Sequence, residues 1–255
     1  RKNCIPLEVN MKAYKLDGLL YGSITVLALF IVQVLAGKAG GFVASLISYK
    51  QFDFDNAYAW ISVHHIVQMI VALGIIGVLS KLLKIDFGFG CGDTKKGMKY
   101  LVVFTVVFTI IALIIHILMY VYDQLPTYEF PLNTRNIIGT LSFQLFLSGT
   151  SEEILFRALP ITVLVYVFGN RVYIKGHITL EIIIASFLFS IAHMKWSLSP
   201  LTIDANLFQL FYAFVLGTIQ GIAYQESQSV LYPMLMHSLA NVLMVGTGYL
   251  FILLS

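Results

Sequence analysis

Charge is what this sequence has least of: of 255 residues only 11% are Asp, Glu, Lys or Arg, against roughly a quarter in an ordinary soluble domain. With 58% hydrophobic residues and a mean hydropathy of +0.85, such a chain cannot clothe a globule in polar surface, and a water-soluble fold is excluded. Cysteine is almost absent. Cys4 and Cys91 lie far apart and fit no CxxC or CxxH pattern, which rules out a disulfide framework or a zinc knuckle. A basic stripe interleaved with aromatics is also missing. The net charge of +3 comes from lysines placed between apolar runs, so nucleic acid is excluded as a partner. No internal repeat, low-complexity tract or linker divides the chain, and a single integral membrane domain over residues 1–255 is expected.

What the sequence has in abundance is long apolar runs. A hydrocarbon core of about 30 Å needs about 20 apolar residues as helix. Runs of that kind lie at Gly18 to Ala36, Tyr58 to Leu79 and Tyr100 to Tyr122, giving three N-terminal spans within 18–122. The run from Ile137 to Phe168 is too long for one perpendicular span and is interrupted by Glu152, Glu153, Arg157 and Pro160, so it must be tilted, kinked or broken. Spans at Ile178 to Met194, Ile203 to Tyr224 and Val230 to Leu254 complete a core over 137–254. The expected fold is all-α, a polytopic membrane helical bundle of seven to eight transmembrane helices around an intramembrane polar cavity. Gly41 to Phe52 is apolar but too short to cross and reads as an interfacial or re-entrant piece.

Lys and Arg between the spans set the orientation, because positive loops are retained in the cytoplasm. With the N-terminus inside, eleven cations fall on inner segments: Arg1, Lys2, Lys12, Lys15, Lys81, Lys84, Lys95, Lys96, Lys99, Arg171 and Lys175. Four fall outside, namely Lys38, Lys50, Arg135 and Lys195, and Arg157 lies within a span. A multi-pass protein of the plasma membrane with a cytoplasmic N-terminus is expected, its first apolar run a retained anchor.

Ionisable groups inside the bilayer cost several kcal/mol unless paired or wetted, so each marks a functional candidate. In Glu152-Glu153-Ile154-Leu155-Phe156-Arg157 a helix puts Glu153 and Arg157 one turn apart with the acid first, as an i,i+4 ion pair prefers. Glu152 points about 100° away and is the acid left over, available as a general base. A structural ion-pair network would explain these three residues alone. Further along, however, Phe189-Ser190-Ile191-Ala192-His193 ends one apolar span in a histidine, and His237-Ser238-Leu239-Ala240-Asn241 places a histidine and an asparagine at i,i+4 on another. Two acids, an arginine, two histidines and an asparagine on three spans are the parts for activating a water and stabilising an oxyanion.

The ordered set Glu152-Glu153-x-x-x-Arg157, Phe189-x-x-x-His193 and His237-x-x-x-Asn241, all within Leu141 to Val245, resembles the CPBP family. These are the CAAX protease and bacteriocin-processing (Abi) proteins, glutamic intramembrane endopeptidases of eight helices. The glycine-rich Phe87-Gly88-Phe89-Gly90 turn is similar to what such proteins place before their core. The resemblance implies that Glu152 and His193 activate the hydrolytic water while His237 and Asn241 donate to the oxyanion. It gives Glu153 and Arg157 a positioning role, with Arg157 also suited to a substrate carboxylate. Substrates would be prenylated CAAX proteins or other membrane-associated peptides, with aromatics such as Phe208 to Phe214 as one wall for a prenyl chain.

Two carboxylates and two histidines suit zinc by type, but no HExxH pair is present, so metal-free and cofactor-free chemistry is expected. His64 and His65 splay about 100° apart on a helix and read as packing or substrate contacts. His116 with Asp123 reads as interfacial structure. A proton- or ion-coupled transporter, or a non-catalytic membrane scaffold, is the competing reading, and matching broken helices in the two halves, as a transporter would show, are not found. One conflict stands within this topology. His193 falls toward the outer end of its span and His237 in the inner third of its own, whereas a working site needs them together.

Overall fold

A computed structural model describes residues 14–198 and 201–255, and within them the chain is overwhelmingly helical. Cys4, Arg1, Lys2 and Lys12 lie outside the described residues. In chain order the helices are α1 (Tyr14–Ser45), α2 (Ala59–Leu83), α3 (Thr94–Val121), α4 (134–168), α5 (Leu180–Ala192), α6 (Leu207–Ser227) and α7 (Leu231–Leu254). Among the described residues five are long and apolar enough to cross a membrane: α1 from Leu20, α2, α3, α6 and α7. The helical membrane architecture expected from the apolar runs is therefore present. The remaining two helices depart from simple spans.

The first departure is α4. It is neither broken nor kinked at a loop. Helical turns at Thr134–Phe143, Gly149–Glu153 and Leu159–Phe168 alternate with two π-helical segments, Gln144–Ser148 and Ile154–Ala158. A π segment closes i→i+5 bonds and rotates everything beyond it, a device found mostly at functional sites. Pro160 explains part of this, since it has no N–H to donate backwards. The carbonyl of Leu155, five residues earlier, instead accepts from Gln33 Nε2 of α1 at 3.4 Å.

The second departure is α5, which has 13 residues and therefore rises only about 20 Å. Thr179 caps its start by accepting from Ile182 N, and a hairpin of β1 (Tyr173–Lys175) and β2 (Ile178–Thr179) precedes it around Gly176 at φ 57°. A second hairpin, β3 (Lys195–Leu198) with β4 (Leu201–Asp204), follows. The all-α expectation had drawn Ile178 and Ile203 inside spans, but both belong to these hairpins. α5 ends within two residues of the expected span, with His193 as its C-terminal cap. The structure nevertheless brings the two histidines together, since the Phe189 ring lies 4.7 Å from His193 and 6.0 Å from His237.

The piece expected to be interfacial is also different. Gly41 to Ser45 are the last turns of α1, and the following turn is organised by Asp53, whose carboxylate accepts from the backbone N–H groups of Ala57, Tyr58 and Ala59 at 2.6–2.9 Å. Those are the orphan donors of the α2 N-terminus. Farther on, residues 87–93 form a wedge under the α6–α7 turn. Gly88 O accepts from Val230 N, Gly90 O from Ser229 Oγ and Cys91 O from Tyr232 Oη. Gly92, at φ 54°, is obligatory there, because a Cβ would sit 2.1 Å from Ser227 O. The glycine-rich turn thus fixes where α7 begins, and with it the height of His237.

Packing runs α1 against α2 and α4, α5 against α6, and α3 against α7, with α4 and α7 in close contact near the centre. Leu155, Leu159, Ile161, Leu164 and Ile182 are fully buried in the core around α4 and α5. Cations assigned to one side of the membrane meet at one end. Glu226 gathers Lys96, His177 and Arg171 within 3.2–4.0 Å, while at the other end Arg135 pairs with Asp55 at 2.8 Å.

Candidate active site

Between its two π segments, α4 presents Glu152 and Glu153 to different surroundings. Glu153 is sealed, with Oε1 2.7 Å from His237 Nδ1 and 3.1 Å from Arg157 Nη1. The Arg157 guanidinium is 1% exposed, donates from Nη2 to Gln220 Oε1 at 2.7 Å and lies 3.9 Å over the Phe189 ring. Gly217 leaves room for it, since a Cβ there would come within 3.2 Å of Nη2. The i,i+4 pairing expected from sequence is present. A substrate carboxylate, by contrast, has no route to a side chain buried on every face.

Glu152 faces an open space instead. A cavity of about 700 Å³ is walled by Glu152 and His193 together with His64, His65, Trp60 and Gln68 of α2 and Gln33 of α1. The exposed Lys38 and Lys195 stand at its rim. Oε1 of Glu152 is 3.9 Å from His65 Nε2 and receives Ser148 Oγ at 3.5 Å, and Oε2 is 3.7 Å from His237 Nε2. Asn241 Nδ2 donates to Ser148 Oγ at 3.0 Å, so it reaches Glu152 through that hydroxyl. All six residues singled out from sequence are therefore brought to one centre. They divide between an open face and a sealed one.

The ring nitrogens of two of the three histidines follow one pattern. His237 Nδ1 meets a carboxylate oxygen and His193 Nδ1 meets Phe189 O at 2.9 Å, and both acceptors require a donor. His65 Nδ1 lies 2.6 Å from Ser151 Oγ, where either atom can be the donor. The Nε2 atoms of His65 and His237 both face Glu152. A neutral His237 presents a bare Nε2 there, and that facing pair needs a proton from elsewhere, which a bound water or an imidazolium supplies.

Sequence reasoning read His64 and His65 as packing or substrate contacts. The structure separates them: His64 stacks on Trp60 at the cavity wall, whereas His65 faces the leftover acid. The buried face of α2 carried a signal, since His65, Gln68 and Ala72 form a polar-and-small stripe of the kind membrane helices turn toward neighbours. His116 bonds to Ala112 O and packs on Phe251, away from the site. Phe208 and Tyr212 line a second, strongly apolar cavity of about 790 Å³ with Val103, Val107 and Ile111, and it shares no lining residue with the one at Glu152. Among the described residues no group of three or more His, Cys, Asp or Glu is arranged to hold a metal ion.

Residues 134–243 match the family model described as Type II CAAX prenyl endopeptidase Rce1-like. The matched stretch, less than half of the chain, holds Glu152, Glu153, Arg157, His193, His237 and Asn241. No curated protein and no solved structure matches the chain.

Proposed function

We propose that this chain, a member of the CAAX-protease (CPBP) family through residues 134–243, is a glutamic intramembrane endopeptidase that cleaves a prenylated CAAX-type or other membrane-associated peptide. One observation carries the reading. Glu152 is the carboxylate left without an Arg or Lys partner of its own among the described residues, it opens on a cavity shared with His193, and two imidazole Nε2 atoms face it at 3.7 and 3.9 Å. Water is the donor that satisfies such a cluster. Glu152 takes a proton from that water as its oxygen bonds to the scissile carbonyl carbon, and His193 Nε2 orients the attacking molecule. The negative oxygen that results is met by Asn241 Nδ2 and by His237, which enters the cycle as an imidazolium between two carboxylates and donates from Nε2 without losing its proton. When the C–N bond breaks, the proton held by Glu152 passes to the departing amine. Glu153 and Arg157 hold His237 in place.

The substrate's C-terminal carboxylate is assigned to the rim, where Lys38 and Lys195 stand, and not to Arg157. The reading needs no metal and no cofactor. Activity surviving exhaustive chelation supports it, and restoration by zinc alone overturns it. The end of the bundle around Glu226 and Cys91 is assigned to the cytoplasm of a plasma-membrane protein. An impermeant thiol reagent applied to cells carrying Cys4→Ser should then label Cys91 only after the cytoplasmic side is opened.

The deciding experiment maps cleavage by mass spectrometry in a peptide library that includes farnesylated CAAX ends, with wild type and Glu152→Gln side by side. Cuts made by wild type alone establish the glutamate-dependent protease, and their position tells whether the prenyl group is read. Equal cutting by both overturns the assignment of Glu152. No cutting by either, with proton flux in liposomes, returns the transporter reading.

A further inference from the structure

Each oxygen of the Glu152 carboxylate faces one imidazole Nε2, and only one of those imidazoles belongs to the matched segment. The other is His65 of α2. Its ring is held on every side: Nδ1 is hydrogen-bonded with Ser151 Oγ at 2.6 Å, the Phe143 ring meets it edge-on at 5.0 Å, and His64 lies at 5.4 Å. It is 8% exposed, yet it forms part of the wall of the cavity into which Glu152 and His193 open. A histidine that served only to pack α2 on α4 would be satisfied by Ser151, and its Nε2 would face hydrocarbon. Here Nε2 is aimed at Oε1 of the acid 3.9 Å away. A proton on either atom makes this facing pair attractive, and without one it is repulsive.

Resting on the glutamic reading above, we infer that His65 is a positioning residue for Glu152, and that the two share the proton taken from water. As the water O–H bond breaks, the proton goes to the Glu152 carboxyl. His65 Nε2 then accepts a hydrogen bond from it at Oε1, which holds the carboxyl in one rotamer. When the peptide C–N bond breaks, the proton leaves for the amine nitrogen, and Glu152 and His65 return to their starting states. The charged and titratable groups facing His65 are Glu152, His64 and His237, with Lys38 and Lys195 at the rim of the same cavity. A consequence is that the N-terminal helices, which carry none of the motifs, complete the catalytic centre.

The test uses the full chain in nanodiscs. His65→Gln keeps a donor for Ser151 but cannot take up a proton, so kcat should fall about 10²-fold with KM changed by less than about threefold, in line with loss of a group assisting proton transfer. His65→Ala leaves a ring-sized gap beside an open cavity, and added imidazole should restore part of its lost rate. A His65→Gln enzyme within about threefold of wild type in kcat, or a His65→Ala defect indifferent to imidazole, overturns the inference. A second measurement does not depend on turnover: the ¹⁵N resonance of His65 Nε2 should move in Glu152→Gln, and an unmoved resonance also overturns it. If wild type and Glu152→Gln cleave equally, it is the glutamic reading that fails, and the resonance still decides whether the two side chains share a proton.

Discussion

Two glutamates adjacent in sequence occupy opposite kinds of environment. Around Glu153 the close contacts converge on Oε1, which meets His237 Nδ1 at 2.7 Å and Arg157 Nη1 at 3.1 Å while Oε2 is buried without a hydrogen-bond partner among the described residues; Gln220 and Phe189 enclose the guanidinium, leaving both side chains sealed from solvent. Around Glu152 the contacts are long, at 3.5 Å to Ser148 and 3.7–3.9 Å to two imidazoles, and the side chain retains 16% exposure to a cavity. Short, closed pairing is what a membrane protein needs in order to bury a charge at all. Loose, open surroundings leave an acid free to gain and lose a proton. The difference between neighbours arises because a helix turns successive residues about 100° apart and π segments on either side of the pair set which face meets α7 and which meets α2.

The sharpest way to break this comparison is to neutralise each acid in turn. Glu152→Gln should lower cleavage at least ~10²–10⁴-fold while the protein extracts and melts like wild type, because no close ion pair is lost. Glu153→Gln should leave Arg157 buried without its counter-ion, at a cost of about 3–5 kcal/mol, and fail in yield and melting temperature as well as activity. Thermal melts in detergent beside the cleavage assay separate the two. Matching stability losses in both variants would erase the distinction between the sealed and open faces.

Much of this division is legible in the sequence, and the part that is not has definite causes. The spacing Glu153 to Arg157 announces a pair, and the adjacency of Glu152 announces an acid outside it. The caps Asp93, Asn133, Thr179 and Asn206 each accept from the N–H three residues on, as their residue types suggest. By contrast, the second π segment of α4 leaves the Leu155 carbonyl to Gln33 Nε2 of another helix, a partner no local pattern encodes. The two hairpins are hidden because Ile178 and Ile203 are as apolar as residues inside a span. His65 is hidden for a third reason: its partner is 87 residues away, and only the packing of α2 on α4 joins them.

Asn241 tests how the open face is assembled. Asn241→Ala should reduce kcat ~10²–10³-fold if its amide meets the oxyanion. Since that amide also donates to Ser148 Oγ, Ser148→Ala sharpens the interpretation. A mild Ser148→Ala beside a severe Asn241→Ala places the effect on the oxyanion, whereas equal losses place it on the orientation of Glu152. A smaller effect is expected at Gly149, where a Cβ would meet Ser238 Oγ at 2.6 Å and Ser238 N at 2.7 Å. Gly149→Ala should force α4 and α7 apart at about 1–3 kcal/mol and lower kcat by lengthening the Glu153–His237 bond.

The smallest effect belongs to Asp55, at the opposite end of α4 from the Glu226 cluster. Its carboxylate accepts from Asn136 Nδ2 and Arg135 Nη2 at 2.8 Å and from Asn133 at 3.5 Å. The Asn136 hydrogen bond is the largest influence; burial, next in size, opposes it, and the Asn133 and Arg135 bonds with the Arg135 charge tip the balance and hold the acid below its ordinary range. A depressed carboxyl contributes stability that is fully present above the unfolded-state value of about 3.9 and is lost as pH falls through the lower folded value. Asp55→Asn should therefore melt slightly below wild type at pH 7, and the gap should close as both are acidified toward pH 3. A gap independent of pH would mean that Asp55 acts through shape and not charge. In that case the ion pair at this end does not tie the α1–α2 turn to the start of α4, and only the sealed glutamate inside the bundle contributes through its ionised state.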